Sequence, residues 1–291
     1  MCPTRATFSF LFFFLLVGCR ESIPPGLQLT DTQVLSDTTY IVSNPQIEAK
    51  RVLIEEFTGV QCSNCPDGHE LIDSLKHALG NRIVVVSYHT GIFANPLPES
   101  KYDFKTQEGT ELQNLLAPST GYPALIVDRV DFGQDGNLVE DNLSVIPSLV
   151  NQQLQNIAIA DITLSAEAVS TDSFLITVEV VFAQSITKDV YLSVAIVQDS
   201  VIDPQVTPSG TIQDYVHRWI FRDMITSVRG DLLFSSPELG RFIRKTFATS
   251  IRNSELPAPE SVLYACGWIH LANYDNSQEV YVFNASCTKL K

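Results

Sequence analysis

The chain has 291 residues, of which 45% are hydrophobic and 18% charged, and its formal net charge is -14 at pH 7. This composition is typical of a globular protein, and the length allows two domains that each bury a core. The negative charge argues against nucleic acid or anionic lipid headgroups as partners, because both need a basic surface.

The first residues predict a secretory signal that ends in a lipidation site. Arg5 precedes an apolar run from Phe8 to Val17, which as a helix would be about 15 Å long and too short to cross a bilayer. The run ends in Leu16-Val17-Gly18-Cys19, which resembles the lipobox of bacterial lipoproteins. We therefore expect a signal peptide over residues 1–18 and acyl chains, including palmitate, on Cys19. The alternative is an ordinary signal that is cleaved nearby and leaves Cys19 as a free thiol.

The next segment predicts a tether followed by an α/β domain. Residues 19–50 are polar and rich in Thr, Ser, Asp and Pro, with one added strand near Thr39–Val42. Residues 51–156 alternate between strand and helix patterns in the order β-α-β-α-β-β-α, which predicts a sheet with helices on its faces. The patterns cover Val52–Phe57, Pro66–Leu79, Ile83–Tyr88, Glu108–Ala117, Ala124–Val130, Leu138–Val139 and Asp141–Gln155.

After Asn156 the helical pattern stops. About seven alternating runs follow, separated by turn residues, which predicts an antiparallel, immunoglobulin-like β-sandwich over residues 157–291. The predicted fold class is thus α/β plus all-β, with a domain boundary near Asn156.

Four cysteines remain once Cys2 leaves with the signal and Cys19 carries lipid. Cys266 and Cys287 fall opposite each other if the last hairpin turns between Asn276 and Ser277, and an oxidising compartment permits a disulfide there. The alternative is two reduced, buried thiols that pack as small apolar residues. In either case this pair is structural.

The other pair is Cys62-Ser63-Asn64-Cys65, between a predicted strand and a predicted helix. A helix N-terminus favours thiolate over thiol, so this position suits reversible thiol–disulfide exchange. Two alternatives are a permanent local disulfide and a soft-metal site that adds His89 to Cys62 and Cys65. The nearby His69 is expected to be a solvated helix residue.

The surroundings of this dithiol resemble the thioredoxin family. Glu56 stands six residues before Cys62, like that family's buried proton-relay acid, and Gly121-Tyr122-Pro123 resembles its cis-proline loop before an antiparallel strand. The resemblance implies that Cys62 attacks a substrate disulfide, Cys65 resolves the mixed disulfide, Glu56 relays a proton and Pro123 positions the substrate. The sequence departs from the family at Gln61, where a tryptophan is usual, and by an insertion over His89–Gln107.

A wider likeness spans the mature chain. The lipobox, "EEFTGVQCSNCPDG", "GYPALIVDR" and "DYVHRWIFRDM" together resemble the twenty-eight-kilodalton outer membrane protein family, lipoproteins of Gram-negative anaerobes. The resemblance implies a lipid anchor in the outer membrane, facing the periplasm or the cell surface.

Two functions follow as hypotheses. The first is thiol–disulfide exchange with protein thiols or disulfides, without a cofactor. The second is a non-catalytic surface binding or adhesion lipoprotein that uses the thioredoxin-like body as a scaffold and contacts another envelope protein. An exposed Cys62 favours the first, and a dithiol covered by the insertion favours the second.

Overall fold

The computed structural model describes residue 27 and residues 29–118, 121–251 and 261–290. Most of its regular structure is strand, with a few helices, so the chain has the mixed α/β class with several sheets. The helices are α1 (Cys65–Leu79), α2 (Gln107–Leu116) and α3 (Ile146–Leu154). The strands are β1 (Leu29–Ile41), β2 (Val52–Thr58), β3 (Ile83–His89), β4 (Ala124–Val127), β5 (Ala160–Ala168), β6 (Ser173–Phe182), β7 (Asp189–Asp199), β8 (Val201–Thr207), β9 (Gly210–His217), β10 (Ile220–Met224), β11 (Asp231–Ser235), β12 (Arg241–Ile251), β13 (Val262–His270) and β14 (Val282–Lys289).

Strands β2 and β3 lie in the interior of the larger sheet and are covered on both faces. Every residue of both strands is buried, as expected of short strands with apolar residues on both faces. The two strands pair in parallel from Val52 opposite Ile83 to Thr58 opposite His89. Their carboxyl ends therefore lie at the same edge of the sheet, where the dithiol loop begins.

One sheet runs through both halves of the chain. Its order is β14-β13-β7-β10-β3-β2-β4, and β11 also pairs with β7. The junction is narrow: Ile220 of β10 lies parallel to Ser87 of β3, and the Ser87 amide donates to the Trp219 carbonyl at 2.8 Å. The sheet thus contains strands from both sides of Asn156, where the sequence predicts a domain boundary. The sequence does not reveal this pairing because it joins distant segments and leaves no local pattern.

A second sheet, in the order β1-β12-β6-β5, packs against the part of the first sheet that is formed by β7, β13 and β14. The core between them contains apolar side chains from β5, β6 and β12 on one side and from β7, β13 and β14 on the other. These strands form a two-layer sandwich, and one of its layers is the sheet that also contains β2 and β3.

Residues 29–41 differ from the predicted tether. They form β1, which pairs antiparallel with β12 from Leu29 opposite Ile251 to Ile41 opposite Arg241. Residues 32–41 are exposed, so this edge strand carries no continuous apolar run that would reveal it in the sequence. Backbone pairing with β12 holds it in place instead.

A buried ion pair fixes the end of β4 against the centre of the sheet. The Arg129 guanidinium donates from Nε to Glu55 Oε2 at 2.7 Å and from Nη2 to Glu55 Oε1 at 2.8 Å. The Tyr88 hydroxyl donates to Glu55 Oε1 at 3.0 Å, and Arg129 Nη1 donates to the Tyr274 hydroxyl at 3.2 Å. Glu55 and Arg129 are both fully buried, so each charge depends on the other.

A second buried pair joins the same region to β14. Lys50 Nζ lies 2.9 Å from Asp128 Oδ2 and donates to the carbonyl oxygens of Val282 and Phe283 at 3.1 and 2.9 Å. Burial raises the pKa of Asp128 to about 6, although Lys50 opposes this shift. The two pairs tie the strands on either side of the junction to one polar centre.

We expect Arg129→Met to lower the free energy of unfolding by about 3–5 kcal/mol, because Glu55 would stay buried without its counter-ion. Glu55→Gln combined with Arg129→Met should lose less, since no isolated charge remains. Urea denaturation at pH 7 measures both. The control is Arg244→Met, which breaks the half-exposed pair with Glu179 and should cost about 0–1 kcal/mol. Equal losses at the two sites would contradict the importance of burial.

Candidate functional site

The dithiol lies in the loop between β2 and α1. Cys62 and Cys65 are joined by a disulfide, with their Cα atoms 5.4 Å apart. Helix α1 begins at Cys65, and Pro66 occupies its first turn, where the missing N–H costs no helical hydrogen bond. Cys62 therefore lies just outside the helix and Cys65 is its first residue.

Two segments cover this loop. From the insertion, the Phe93 carbonyl accepts a hydrogen bond from the Gln61 amide at 2.8 Å. From β8, Gln205 Nε2 donates to the Cys62 carbonyl at 2.9 Å, and the Val206 amide donates to the Val60 carbonyl at 2.8 Å. As a result Cys62 is only 5% exposed and Cys65 is fully buried.

Glu56 lies on the opposite face of β2 from Glu55, because neighbouring strand residues point to opposite faces. Its side chain is buried. Oε2 accepts a hydrogen bond from the Ser87 hydroxyl at 2.7 Å, whereas Oε1 has no hydrogen-bond partner among the described residues. Burial raises the pKa of Glu56, and the nearby His69 and the Ser87 hydrogen bond oppose that shift.

Gly68 allows this acid and Pro123 to approach the start of α1. A Cβ atom at Gly68 would lie 3.0 Å from Glu56 Oε1 and 3.0 Å from Pro123 Cβ. The Tyr122–Pro123 peptide bond is cis, and Pro123 directly precedes β4, which pairs antiparallel with β2. The structure thus brings Glu56 and Pro123 together one helical turn after Cys65.

His69 differs from the predicted solvated helix residue. Its Nε2 lies 2.9 Å from Thr58 Oγ1 and 3.6 Å from Glu56 Oε1, and its Nδ1 lies 2.7 Å from the Tyr215 hydroxyl. Which ring nitrogen carries the proton depends on the tautomer. His69 and Tyr215 line an open cleft of about 570 Å³ beside α1. The contact between α1 and β9 is long-range, so no spacing in the sequence signals it.

Two further histidines are buried beside the dithiol loop. The rings of His89 and His217 lie 5.6 Å apart, and each lies 4.9 Å from the Phe104 ring. Burial, with a contribution from nearby histidines, lowers the pKa of His89 well below its usual value and that of His217 to about 3. Both rings are therefore neutral near pH 7.

The alternative metal site does not form in this structure. In the described ranges, no group of three or more His, Cys, Asp or Glu side chains could hold a metal ion. Cys62 and Cys65 are bonded to each other, so they and His89 do not make such a group here.

Cys266 and Cys287 form a second, separate disulfide. Cys266 and Cys287 lie directly opposite each other in the pairing of β13 with β14 and are joined by a disulfide. The predicted lipidation site, Cys19, lies outside the described residues.

The fold and this site define a mixed α/β protein with a disulfide-bonded Cys-x-x-Cys loop at the edge of a shared sheet. The family model of outer membrane protein Omp28 matches residues 117–264, slightly more than half of the chain. The chain therefore belongs to the Omp28 family of outer membrane proteins. None of its described helices is long and apolar enough to cross a membrane.

Three solved structures resemble the chain. HBP35 of Porphyromonas gingivalis has 18% sequence identity and a TM-score of 0.65, over 85% of this chain and 77% of that one, which shows a shared fold. A structural-genomics protein of Agrobacterium tumefaciens has 12% identity and a TM-score of 0.45, over 84% and 96%. A domain of the outer membrane lipoprotein Omp28 of Porphyromonas gingivalis has 11% identity and a TM-score of 0.25, over 47% and 91%. No curated protein matches the chain.

We expect His217→Phe to make the protein less sensitive to acid. Between pH 6.5 and about 3 the unfolded chain binds a proton at His217 that the folded protein does not, so the stability of the folded protein falls as pH falls. The wild-type slope should exceed that of the variant by about 1.4 kcal/mol per pH unit. Urea denaturation between pH 7 and pH 4 measures the difference.

The matched control for this experiment is His77→Gln, whose side chain is exposed on α1. This variant shows whether the loss of an exposed imidazole, rather than of a buried one, is enough to change the slope. A His217→Phe slope equal to that of the wild type would show that His217 is protonated in the folded state.

Proposed function

We propose that this outer membrane protein carries out thiol–disulfide exchange at a thioredoxin-like site formed by Cys62, Cys65, Glu56 and Pro123. The observation that carries the proposal is the carboxyl group of Glu56. It is buried beside the start of α1, one of its oxygens has no hydrogen-bond partner among the described residues, and burial raises its pKa. Such a group is a poor stabiliser of a fold but suits proton transfer.

The proposed reaction follows from the positions of the two sulfur atoms. The Cys62 thiolate, just outside the N-terminus of α1, attacks a substrate disulfide and forms a mixed disulfide. Cys65 then loses its proton to Glu56 and attacks Cys62 Sγ, which closes the disulfide seen here and releases the substrate thiol. Pro123, against the same turn of α1, would position the substrate backbone. The reaction needs no cofactor.

We further propose that acyl chains on Cys19 hold the protein at the outer membrane, on its periplasmic face or on the cell surface. Membership of the Omp28 family supports the location, and the lipobox-like sequence before Cys19 supports the anchor. The substrates would then be protein thiols or disulfides of the cell envelope.

A second candidate function is supported by the cover over the dithiol. The insertion and β8 both make hydrogen bonds to the loop, and Cys62 is 5% exposed. A permanently closed disulfide in this position would be structural, and the protein would act as a binding or adhesion lipoprotein.

A redox titration separates the two functions. The full chain, purified in detergent, is equilibrated across a glutathione series, and the thiols are alkylated and mapped by peptide mass. For exchange we expect one reversible two-electron transition at Cys62 and Cys65, with glutathione trapped on Cys62 in Cys65→Ser and none trapped in Cys62→Ser. Glu56→Gln should slow closure of the disulfide by about 100-fold.

The Cys266–Cys287 disulfide is the internal control and should stay oxidised. It joins two paired strands, so neither thiol lies at a helix N-terminus that would favour the reactive thiolate. If Cys62 and Cys65 also stay oxidised at every glutathione ratio, the exchange proposal is wrong and the scaffold function replaces it.

A further inference from the structure

A connected series of polar side chains leads from Glu56 to the protein surface. Glu56 Oε1 lies 3.6 Å from His69 Nε2, and His69 Nδ1 lies 2.7 Å from the Tyr215 hydroxyl. Thr58 Oγ1, 2.9 Å from the same Nε2, holds the imidazole ring in place. His69 and Tyr215 both line the open cleft of about 570 Å³ beside α1.

We propose that His69 and Tyr215 form the path by which protons enter and leave Glu56 during exchange. This inference rests on the proposed function and deepens it. Both residues act through Glu56 and do not touch the reacting sulfur atoms.

The surroundings of Glu56 favour this route over others. Its second oxygen is bonded to Ser87, which is itself 3% exposed and lies within the sheet. Gly68, which lies against Oε1, and Pro123, which lies against Gly68, carry no side-chain group that can accept or donate a proton. His69 both lines the cleft and lies 3.6 Å from Oε1. Asp73, which lines the same cleft, acts on Glu56 through its negative charge, which raises the pKa of the acid.

The chemistry of the path balances over one closure of the disulfide. Cys65–SH gives its proton to the Glu56 carboxylate, and the Cys65 thiolate attacks Cys62 Sγ and displaces the substrate thiolate. The neutral Glu56 then gives this proton to His69 Nε2, and a proton leaves from Nδ1 to the Tyr215 hydroxyl, which passes a proton to the cleft. Solvent protonates the displaced substrate thiolate. One disulfide forms and one breaks, so no external oxidant is required.

The path would also make the site depend on both halves of the chain. Tyr215 belongs to β9, in the same hairpin as Gln205, whose side chain bonds to the Cys62 carbonyl. A purely structural interpretation is that the pair of His69 and Tyr215 only fastens this hairpin to α1. The experiment must therefore include a result that fastening alone would not produce.

The experiment follows closure of the disulfide in single-turnover conditions. Reduced full chain in detergent is mixed with oxidised glutathione, quenched with acid, and analysed by mass for the mixed disulfide and the closed disulfide. The variants are His69→Gln, Tyr215→Phe, Glu56→Gln and the double variant Glu56→Gln/His69→Gln. The control is His77→Gln, which also lines the cleft but lies outside the path.

We expect His69→Gln to slow closure about tenfold while the mixed disulfide forms at the wild-type rate, and Tyr215→Phe to slow closure less. His77→Gln should match the wild type. Adding His69→Gln to Glu56→Gln should cause no further slowing, because the path has no function without the acid. Tyr215→Phe keeps the ring and provides the test if His69→Gln fails to fold.

Two results would overturn the path. One is wild-type closure in both His69→Gln and Tyr215→Phe while Glu56→Gln is slow. The other is a tenfold slowing by His69→Gln that persists in the Glu56→Gln background, which indicates a structural role. A wild-type protein that forms no mixed disulfide overturns the proposed function itself, so the two failures are distinguishable.

Discussion

The pairing of Glu55 with Arg129 is the constraint on which the rest of the structure depends. Two fully buried charges in bidentate contact are stable only while both stay in place, because either one alone would be an uncompensated charge in an apolar core. Tyr88 of β3 and Tyr274 of the last hairpin complete the set of hydrogen bonds. Removing the C-terminal strands would therefore expose or orphan groups at the centre of the α/β part, which explains how a sheet junction of one residue pair can hold.

Side chains alternate between the two faces of β2, so the neighbouring residues Glu55 and Glu56 have different surroundings and different roles. Glu55 faces a full set of partners, and the resulting contacts lock β2, β3 and the end of β4 together. Glu56, on the other face, has one hydrogen-bond partner among the described residues, with His69 3.6 Å from its second oxygen. Its pKa is raised, first of all by burial. Because Glu55 and Glu56 are adjacent in the backbone, the contacts that fix Glu55 also hold Glu56 in place beside α1.

Sequence patterns predict the parts of this arrangement that are local. The apolar runs of β2 and β3 and the Cys-x-x-Cys before α1 lie within short segments, where strand and helix periodicity is readable. Glu56 and Pro123 are identified as site residues only by the resemblance to the thioredoxin family. The cover over the dithiol and the bond between His69 and Tyr215 join residues that are far apart in the chain, so no periodicity encodes them. The strand expected near Thr39–Val42 covers only the end of β1 (Leu29–Ile41). The rest of β1 has no readable pattern, because an exposed edge strand needs backbone partners and no apolar face. The alternating run Tyr215–Phe221 predicts a single strand, but the turn at Trp219, with φ of 54°, separates β9 from β10.

The two candidate functions differ in how they explain the same buried loop. A scaffold accounts for the hydrogen bonds from Gln205 and Val206 and for the small exposure of Cys62. It gives no physical reason for the Glu56 carboxyl. Among the described residues one oxygen of this buried acid accepts no hydrogen bond, which costs stability, and a neutral side chain would fill the same space at lower cost. Exchange explains the acid but requires a substrate sulfur to reach Cys62 past β8. The hairpin that covers the loop also supplies Tyr215, so in an exchange protein a single element would limit access to the sulfur and connect its acid to solvent.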